Sequence, residues 1–323
     1  MDIQNKKIVC LGGGIGSVNL IKGLKQYSKN IAIAFSMADD GGSAGRLRRL
    51  YNIFPPGDIV SCMAAMQDND FTRQLLTYRF PGDRYGKDEE LSGHKLGSLI
   101  FVAMRDVLGD FTKAIEQFQK TFKIPGTFLP ATEQMVNISI KTKDGNEVFG
   151  EQTVDLGDYD WKVGIDQIFL HPENISANQE LINGIQQADV ILAGPGDLFT
   201  TLLPVLIVPG IKEALQKSKA TKMYIVNVTN KPFETKNYTV LEYMQAIQKH
   251  LGFFPFEKVI VNNNHSVPIT QKYDYAYVDI KTVVRKINTV FPDVQIVEGD
   301  VVDNAFPLYH DPKKLAKLIR LAI

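Results

Sequence analysis

Two adjacent aspartates, Asp39 and Asp40, stand in the run Ala38-Asp39-Asp40-Gly41-Gly42-Ser43-Ala44-Gly45-Arg46. Neighbouring carboxylates on a loop suit a Mg2+ ion that keeps several waters and bridges to phosphate oxygens. They are therefore the candidate metal-holding and catalytic residues. Gly41, Gly42 and Ser43 offer a nest of backbone N–H groups for an anion. One of Arg46, Arg48 and Arg49 could pair with phosphate as a bidentate donor. The bland alternative is that Asp40 or Ser43 caps the next helix and the arginines form a solvated face.

Two further cradles accompany this one: Gly12-Gly13-Gly14-Ile15-Gly16-Ser17 and Gly194-Pro195-Gly196-Asp197. Glycine lets the backbone come close to an anion, and a helix beginning near Ser17 would add unpaired N–H groups and a positive dipole end. The first loop lacks the Gly-Lys-Ser/Thr of a Walker A motif. A dinucleotide pattern counted from Gly12 and Gly14 would put its third glycine at Ser17, and Ser36-Met37 stand where its acidic residue belongs. NAD is therefore disfavoured, and a tight turn with no ligand remains the alternative. Pro55-Pro56-Gly57-Asp58 reads as a stiff turn with Asp58 capping a helix. His94, before an apolar helix, reads as a ligand, an acid/base or a structural hydrogen bond. His171, His250 and His310 have no companion at metal-ligand spacing and read as structural, while His265 on a strand-end loop is a weak candidate. Cys10 and Cys62, the only cysteines, read as small core residues.

The elements that must position these residues alternate along the chain. Continuous apolar runs at Ile8–Leu11, Ile31–Phe35, Val190–Ala193, 223–228 and 258–261 predict strands covered on both faces. Helical patterns fall at 17–27, 95–108, 112–121, 178–187, Val240–Leu251 and 312–321. The alternation predicts a Rossmann-like α/β fold, a mainly parallel sheet with helices on both faces. Loops following its strands share the carboxyl edge, where ligands of such sheets bind. Five of them, at 12–17, 36–43, 194–197, 229–231 and 262–265, are expected to converge on one site. Segment 134–170 differs: Val136, Ile138 and Ile140 alternate with polar residues and Asp144-Gly145 supplies a turn, predicting an inserted antiparallel hairpin region. It would serve as an edge ribbon, a lid or a homodimer contact. No repeat or linker appears, so residues 1–323 read as one domain.

Composition narrows the partners. Lys+Arg and Asp+Glu both number 36 in 323 residues, so no basic excess draws the chain to nucleic acid. The longest apolar run, 202–211, is broken by Pro204 and Pro209 and is too short to span a bilayer. No signal-type segment is visible, and the expectation is a cytoplasmic protein with a small-molecule ligand.

Taken in order, GGGIG at 12–16, ADDGGSAGRLR at 38–48, PPGDI at 55–59, GHKLG at 93–97, AGPGDLFTTLLPVLIVPGIKEAL from Ala193, VTNKPFETKNYT from Val228 and VIVNN from Val259 resemble one family. It joins 2-phospho-L-lactate transferase with the YvcK-type gluconeogenesis factors. The resemblance implies a Rossmann-like fold and a nucleotide-diphosphate ligand. In the transferase branch a phospholactyl group passes, with Mg2+, from a GDP-linked donor to a deazaflavin alcohol in coenzyme F420 synthesis. Members of the YvcK-type branch act in cell-shape control and central metabolism, and some bind UDP-N-acetylglucosamine. The runs at 39–48 and 55–58 are closer to that branch, so a UDP-sugar-type ligand ranks ahead of a transferase using a GDP-linked donor. The resemblance then places phosphates on Gly12, Gly13, Gly14, Gly16 and Ser17 and on Gly194, Pro195 and Gly196. Gly41, Gly42, Ser43, Arg46, His94 and Lys95 join the binding set, Asp39 and Asp40 hold Mg2+ or ribose, and Asn227, Thr229 and Tyr238 line the sugar end. Four departures stand out. Ile15 replaces the threonine of GGGTG, Ala44 a serine of ADDGGSSG, Lys95 the serine of GHSLGN and Asp197 the serine of GPGSLYTS. Asp197 would repel a diphosphate unless Lys95 or a metal offsets it.

Overall fold

The computed structural model describes residues 3–87, 90–270 and 274–323. Among the described residues ten strands are present: β1 (Ile8–Leu11), β2 (Ile31–Phe35), β3 (Thr127–Pro130), β4 (Asn137–Thr142), β5 (Glu147–Phe149), β6 (Ile165–His171), β7 (Val190–Ala193), β8 (Thr221–Ile225), β9 (Lys258–Asn262) and β10 (Gln295–Gly299). Seven form one sheet in the order β10-β9-β8-β7-β1-β2-β3, with every pair parallel. This is the expected Rossmann-like α/β architecture. The order reverses between β1 and β7, so their following helices leave in opposite directions and a crevice opens at their carboxyl ends.

Alternate residues of these strands feed two cores. Val9, Leu11, Ile191, Ala193 and Val259 face one side, while Ile8, Cys10, Val190, Leu192 and Ile260 face the other. Helices Gly14–Leu24, Gly57–Met66, Leu96–Leu108 and Pro312–Ala322 fill the second side. Helices Gln179–Gln187, Ile211–Lys217 and Val240–Leu251 pack on the first. Their starts follow from sequence: Asn178 accepts from two N–H groups of its helix, and Thr239 with Glu242 forms a capping box.

Segment 134–170 forms its own antiparallel sheet in the order β5-β4-β6. It is not an edge ribbon of the main sheet. Ile138, Ile140, Ile165 and Ile168 join the first-side core, and helix Glu151–Leu156 lies between β5 and β6. Other boundaries move too. The first helix starts at Gly14 and not near residue 17. The helix after the 39–43 loop begins at Gly42 with Gly41 as its N-cap and no side-chain cap, so neither Asp40 nor Ser43 caps it. Asp58 lies inside helix Gly57–Met66 and does not cap it either. Strand β8 ends at Ile225, three residues before the expected end.

Among the described residues, no single helix is long and apolar enough to cross a membrane. The apolar run from Leu198 bends by 71° before Ile211–Lys217, and Leu202, Leu203, Val205 and Leu206 are buried in the core.

Candidate functional site

A cavity of about 720 Å3 opens over the β1/β7 crevice. Four of the five expected loops reach it, contributing Gly13, Gly14 and Gly16; Ser36, Asp39, Gly41 and Ser43; Pro195, Gly196 and Asp197; and Thr229 with Lys231. Asn227 and Lys95 line it as well. The fifth loop stays outside. There, the Asn262 side chain is bonded to Asn264 and to the Val301 N–H, and His265 stacks on Tyr277.

The first and third loops are pressed together. A Cβ on Gly16 would lie 2.4 Å from the Pro195 carbonyl oxygen, and one on Gly13 would meet the Asp58 carboxylate at 2.3 Å. Gly14, at φ 64°, opens the helix, and its N–H donates to Asp58 Oδ2 at 2.8 Å. Gly196 N–H donates to Asn227 Oδ1 at 3.0 Å, which fixes that loop against the strand-end segment after β8.

The two aspartates of the 39–43 loop part company. Asp39 lines the cavity. Burial first, and then the neighbouring Asp58 carboxylate, push it up to about 7, with the Gly41 N–H opposing. Asp40 turns away. Its Oδ1 accepts from Gln152 N–H at 2.8 Å, so it caps helix Glu151–Leu156 from across the chain, while the Gln152 side chain accepts from Gly42 N–H at 3.1 Å. Asp58 lines the cavity in its place, and its carboxyl is also raised by burial. Asp39 and Asp58 thus line the cavity together with Glu151, whose carboxyl is raised by burial and by Asp39, and spacing along the chain does not reveal the Asp39–Asp58 pair. They suit a hard cation that retains most of its waters.

Several other expected residues lie behind the wall rather than on it. Gly12, Ser17, Asp40, Gly42, Arg46, His94, Gly194 and Tyr238 do not line the cavity. Ser17 is buried beneath the first loop, close to Gly12. Arg46 is fully buried and donates to the carbonyls of Asp83, Glu90 and Ser92. It is tied to the backbone at these three residues and is turned from the cavity. His94 is buried with Nδ1 2.9 Å from Ser43 Oγ, which orients that hydroxyl. Tyr238 packs edge-on against Phe199 and Tyr243.

Asp197 meets a cation that sequence reading does not supply. Lys231 Nζ lies 2.8 Å from Asp197 Oδ2, 2.9 Å from Glu234 Oε1 and in direct contact with Asp155. Burial alone would pull this ammonium down, but Asp197, Glu234 and Asp155 outweigh it and hold it well above its usual range. Glu234 in turn accepts from the N–H groups of Phe199 and Thr200 and from the Thr200 hydroxyl, bracing the segment after Asp197. Among the described residues, Asp155, Asp197 and Glu234 form the one acidic triad tight enough to hold a metal, and the Lys231 ammonium already occupies its centre.

Sequence reading also misses Arg79, Arg84, Tyr85, Glu151, Asp155, Phe233, Tyr275, Tyr309 and His310, all of which line the cavity. Most sit in polar stretches that a solvated surface would equally explain. Both cysteines are buried as expected, and burial pushes the Cys10 thiol up to about 12, which leaves it inert.

Residues 8–302 match the model of the family described as 2-phospho-L-lactate transferase CofD. The gluconeogenesis factor of Bacillus subtilis is 35% identical over 325 residues, covering 98% of this chain and 98% of the relative. That of Halalkalibacterium halodurans is 37% identical over 279 residues, 85% of this chain and 82% of the relative. A crystal structure of a Bacillus halodurans protein described as a member of the upf0052 family superposes with a TM-score of 0.87. It is 32% identical and covers 98% of this chain and 100% of that one.

Proposed function

This chain belongs to the 2-phospho-L-lactate transferase CofD family, on the side of the gluconeogenesis factors, and from that premise we propose that it binds a nucleotide diphosphate of the UDP-sugar type. One observation carries the reading: the N–H-rich loops after β1 and β7 and the carboxylate loop after β2 line one cavity large enough for such a ligand. Phosphates would rest on Gly13 and Gly16 at the start of helix Gly14–Leu24, beside Gly14 and Gly196, whose own N–H groups are given to Asp58 and Asn227; the remaining N–H groups of the first turn and the helix dipole favour negative charge there. Asn227 and Thr229, with the rings of Tyr275 and Tyr309, would take the nucleoside. In this reading the protein acts in the cytoplasm as a regulator of central carbon metabolism or of the cell envelope, its output set by ligand occupancy.

The Asp39–Asp58 pair favours a second reading, transfer of a phosphate-linked group. A Mg2+ ion held by these two carboxylates would supply neutralisation of charge on phosphate oxygens. The chain itself holds the carboxylates in place through the Gly41 and Gly14 N–H groups, with Arg84, Tyr85 and Tyr309 lining the same cavity. A GDP-linked donor is the substrate class of that reading.

A thermal-shift series separates the two. A UDP-sugar should raise the unfolding temperature, since binding at roughly a hundred times Kd adds about 2.7 kcal/mol. A response to GDP that requires Mg2+, with none to UDP-sugars, selects transfer. FAD or NAD acting alone, with no response to any uridine or guanosine diphosphate, overturns both.

A further inference from the structure

The acids of this chain are unevenly placed. Residues 3–38 and 312–323 contain none, yet they carry nine lysines and arginines. With 36 acids in 323 residues, composition alone would put about five there, so their absence asks for a cause. The fold brings the two segments together. Helix Gly14–Leu24 lies beside helix Pro312–Ala322 and runs parallel to it. Asn19 donates to the His310 carbonyl at 3.2 Å, a Cβ on Gly23 would lie 2.9 Å from that of Ala316, and the Arg320 guanidinium lies 5.0 Å from the centre of the Tyr27 ring.

Leu20, Ile21 and Leu24 of the first helix and Leu315 and Ile319 of the second point into the second-side core. The opposite faces look out together. Lys22 projects from the first helix, and Lys313, Lys317 and Arg320, each one turn apart, project from the second; all four are exposed. Lys25 and Lys29 are paired with Asp68, and Lys314 with Asp300. Among the described residues Lys22, Lys313, Lys317 and Arg320 have no acidic partner within ion-pair distance. Two aliphatic side chains bound this field. Leu321 is 72% exposed at its far end, and Ile15 is 56% exposed about two turns before Lys22 on the same helix face. Ile15 also lines the cavity, so whatever covers the field lies beside the cavity mouth.

An acid-free plane of unpaired cations complements an extended anionic surface. Nucleic acid fits it less well. The two helices pack almost backbone to backbone at Gly23, so neither stands out to enter a groove. The ring of Tyr27 is covered by the one guanidinium and is not offered to a base. Exposed aliphatic side chains beside lysines suit the boundary between lipid headgroups and acyl chains. We propose that this face docks on an anionic membrane surface: the four unpaired cations meet lipid phosphates, Leu321 and Ile15 enter the headgroup region, and the cavity mouth is brought to the bilayer. The association is peripheral, since the apolar sides of both helices stay in the core.

Sedimentation of the full chain with two sets of vesicles tests it, one of phosphatidylcholine alone and one of equal parts phosphatidylcholine and phosphatidylglycerol. The protein should pellet with the second set only, and salt near ~0.5 M should release it, because screening shortens the reach of exposed charge. Lys313→Gln and Lys317→Gln should each weaken binding about fivefold, and together about twenty-five-fold. Leu321→Ala should weaken it by a smaller factor. Lys113→Gln with Lys120→Gln, at exposed positions of helix Phe111–Phe122, removes the same charge elsewhere and should leave binding unchanged. Pelleting with neither set, equal pelleting with both, or equal losses in the two double variants overturns the proposal. Binding of a DNA or RNA duplex without binding of the phosphatidylglycerol vesicles overturns it too, and assigns the face to nucleic acid.

Discussion

At the scale of single residues, the site depends on which carboxylates are neutralised and by what. Asp197 reads in the sequence as a charge opposed to a diphosphate, yet Lys231 binds it together with Asp155 and Glu234. The repulsion is reduced by a lysine 34 residues further along, which Asp197 shares with two other acids. Asp39, Asp58 and Glu151 line the cavity with no such partner within ion-pair distance among the described residues, which leaves them as the acids with capacity for a metal. Asp39→Asn and Asp58→Asn should each remove the Mg2+ dependence of nucleotide binding. Asp40→Ala should preserve that dependence and cost about 1 kcal/mol of stability, because the carboxylate caps a helix start. Ligand titrations with and without Mg2+, beside urea unfolding, measure both. Loss of metal dependence in Asp40→Ala alone would return the adjacent pair to the site.

At the scale of elements, the two glycine loops at the switch point are built as one unit. The absence of a side chain at Gly16 is what lets the loop after β7 approach, since a Cβ would sit 2.4 Å from backbone at Pro195. Gly16→Ala should therefore push the loops apart, weakening nucleotide binding at least tenfold and costing about 1–3 kcal/mol by overpacking. An unchanged affinity would show that the phosphates do not bridge these loops. The central strands and the glycine loops were legible because continuous apolar runs and clustered glycines each have few other physical explanations. Strands β3 and β10 were not. They are the two edges of the sheet, one short and ending in Pro130, the other half-exposed at Gln295–Gly299, so neither shows a doubly covered run. The second wall of the site was equally hidden. Arg79, Arg84 and Glu151 lie in charged stretches whose meaning comes only from tertiary contact, and Asp58 had an adequate local explanation as a cap.

At the scale of the molecule, helix Pro312–Ala322 packs into the second-side core, and the buried His310 just before it makes that packing sensitive to pH. Its backbone carbonyl accepts from Asn19 on the first helix at 3.2 Å, and the residue is 4% exposed with Nε2 lacking a hydrogen-bond partner. Burial lowers its imidazole to about 4, only partly opposed by the Val226 carbonyl. In the unfolded chain the same group titrates near ~6.5. Between those values the unfolded state binds more protons, so folding stability must fall as pH drops through ~6.5 toward ~4 and is fully retained above that window. The loss from this one residue reaches about 2 kcal/mol by pH ~5. His310→Gln, which cannot take up a proton there, should be less stable than the parent at pH 7.5 through lost packing. It should also lose about 2 kcal/mol less between pH 7.5 and 5 in urea titrations. Two parallel stability profiles would mean that His310 opens to water and charges without disturbing that packing.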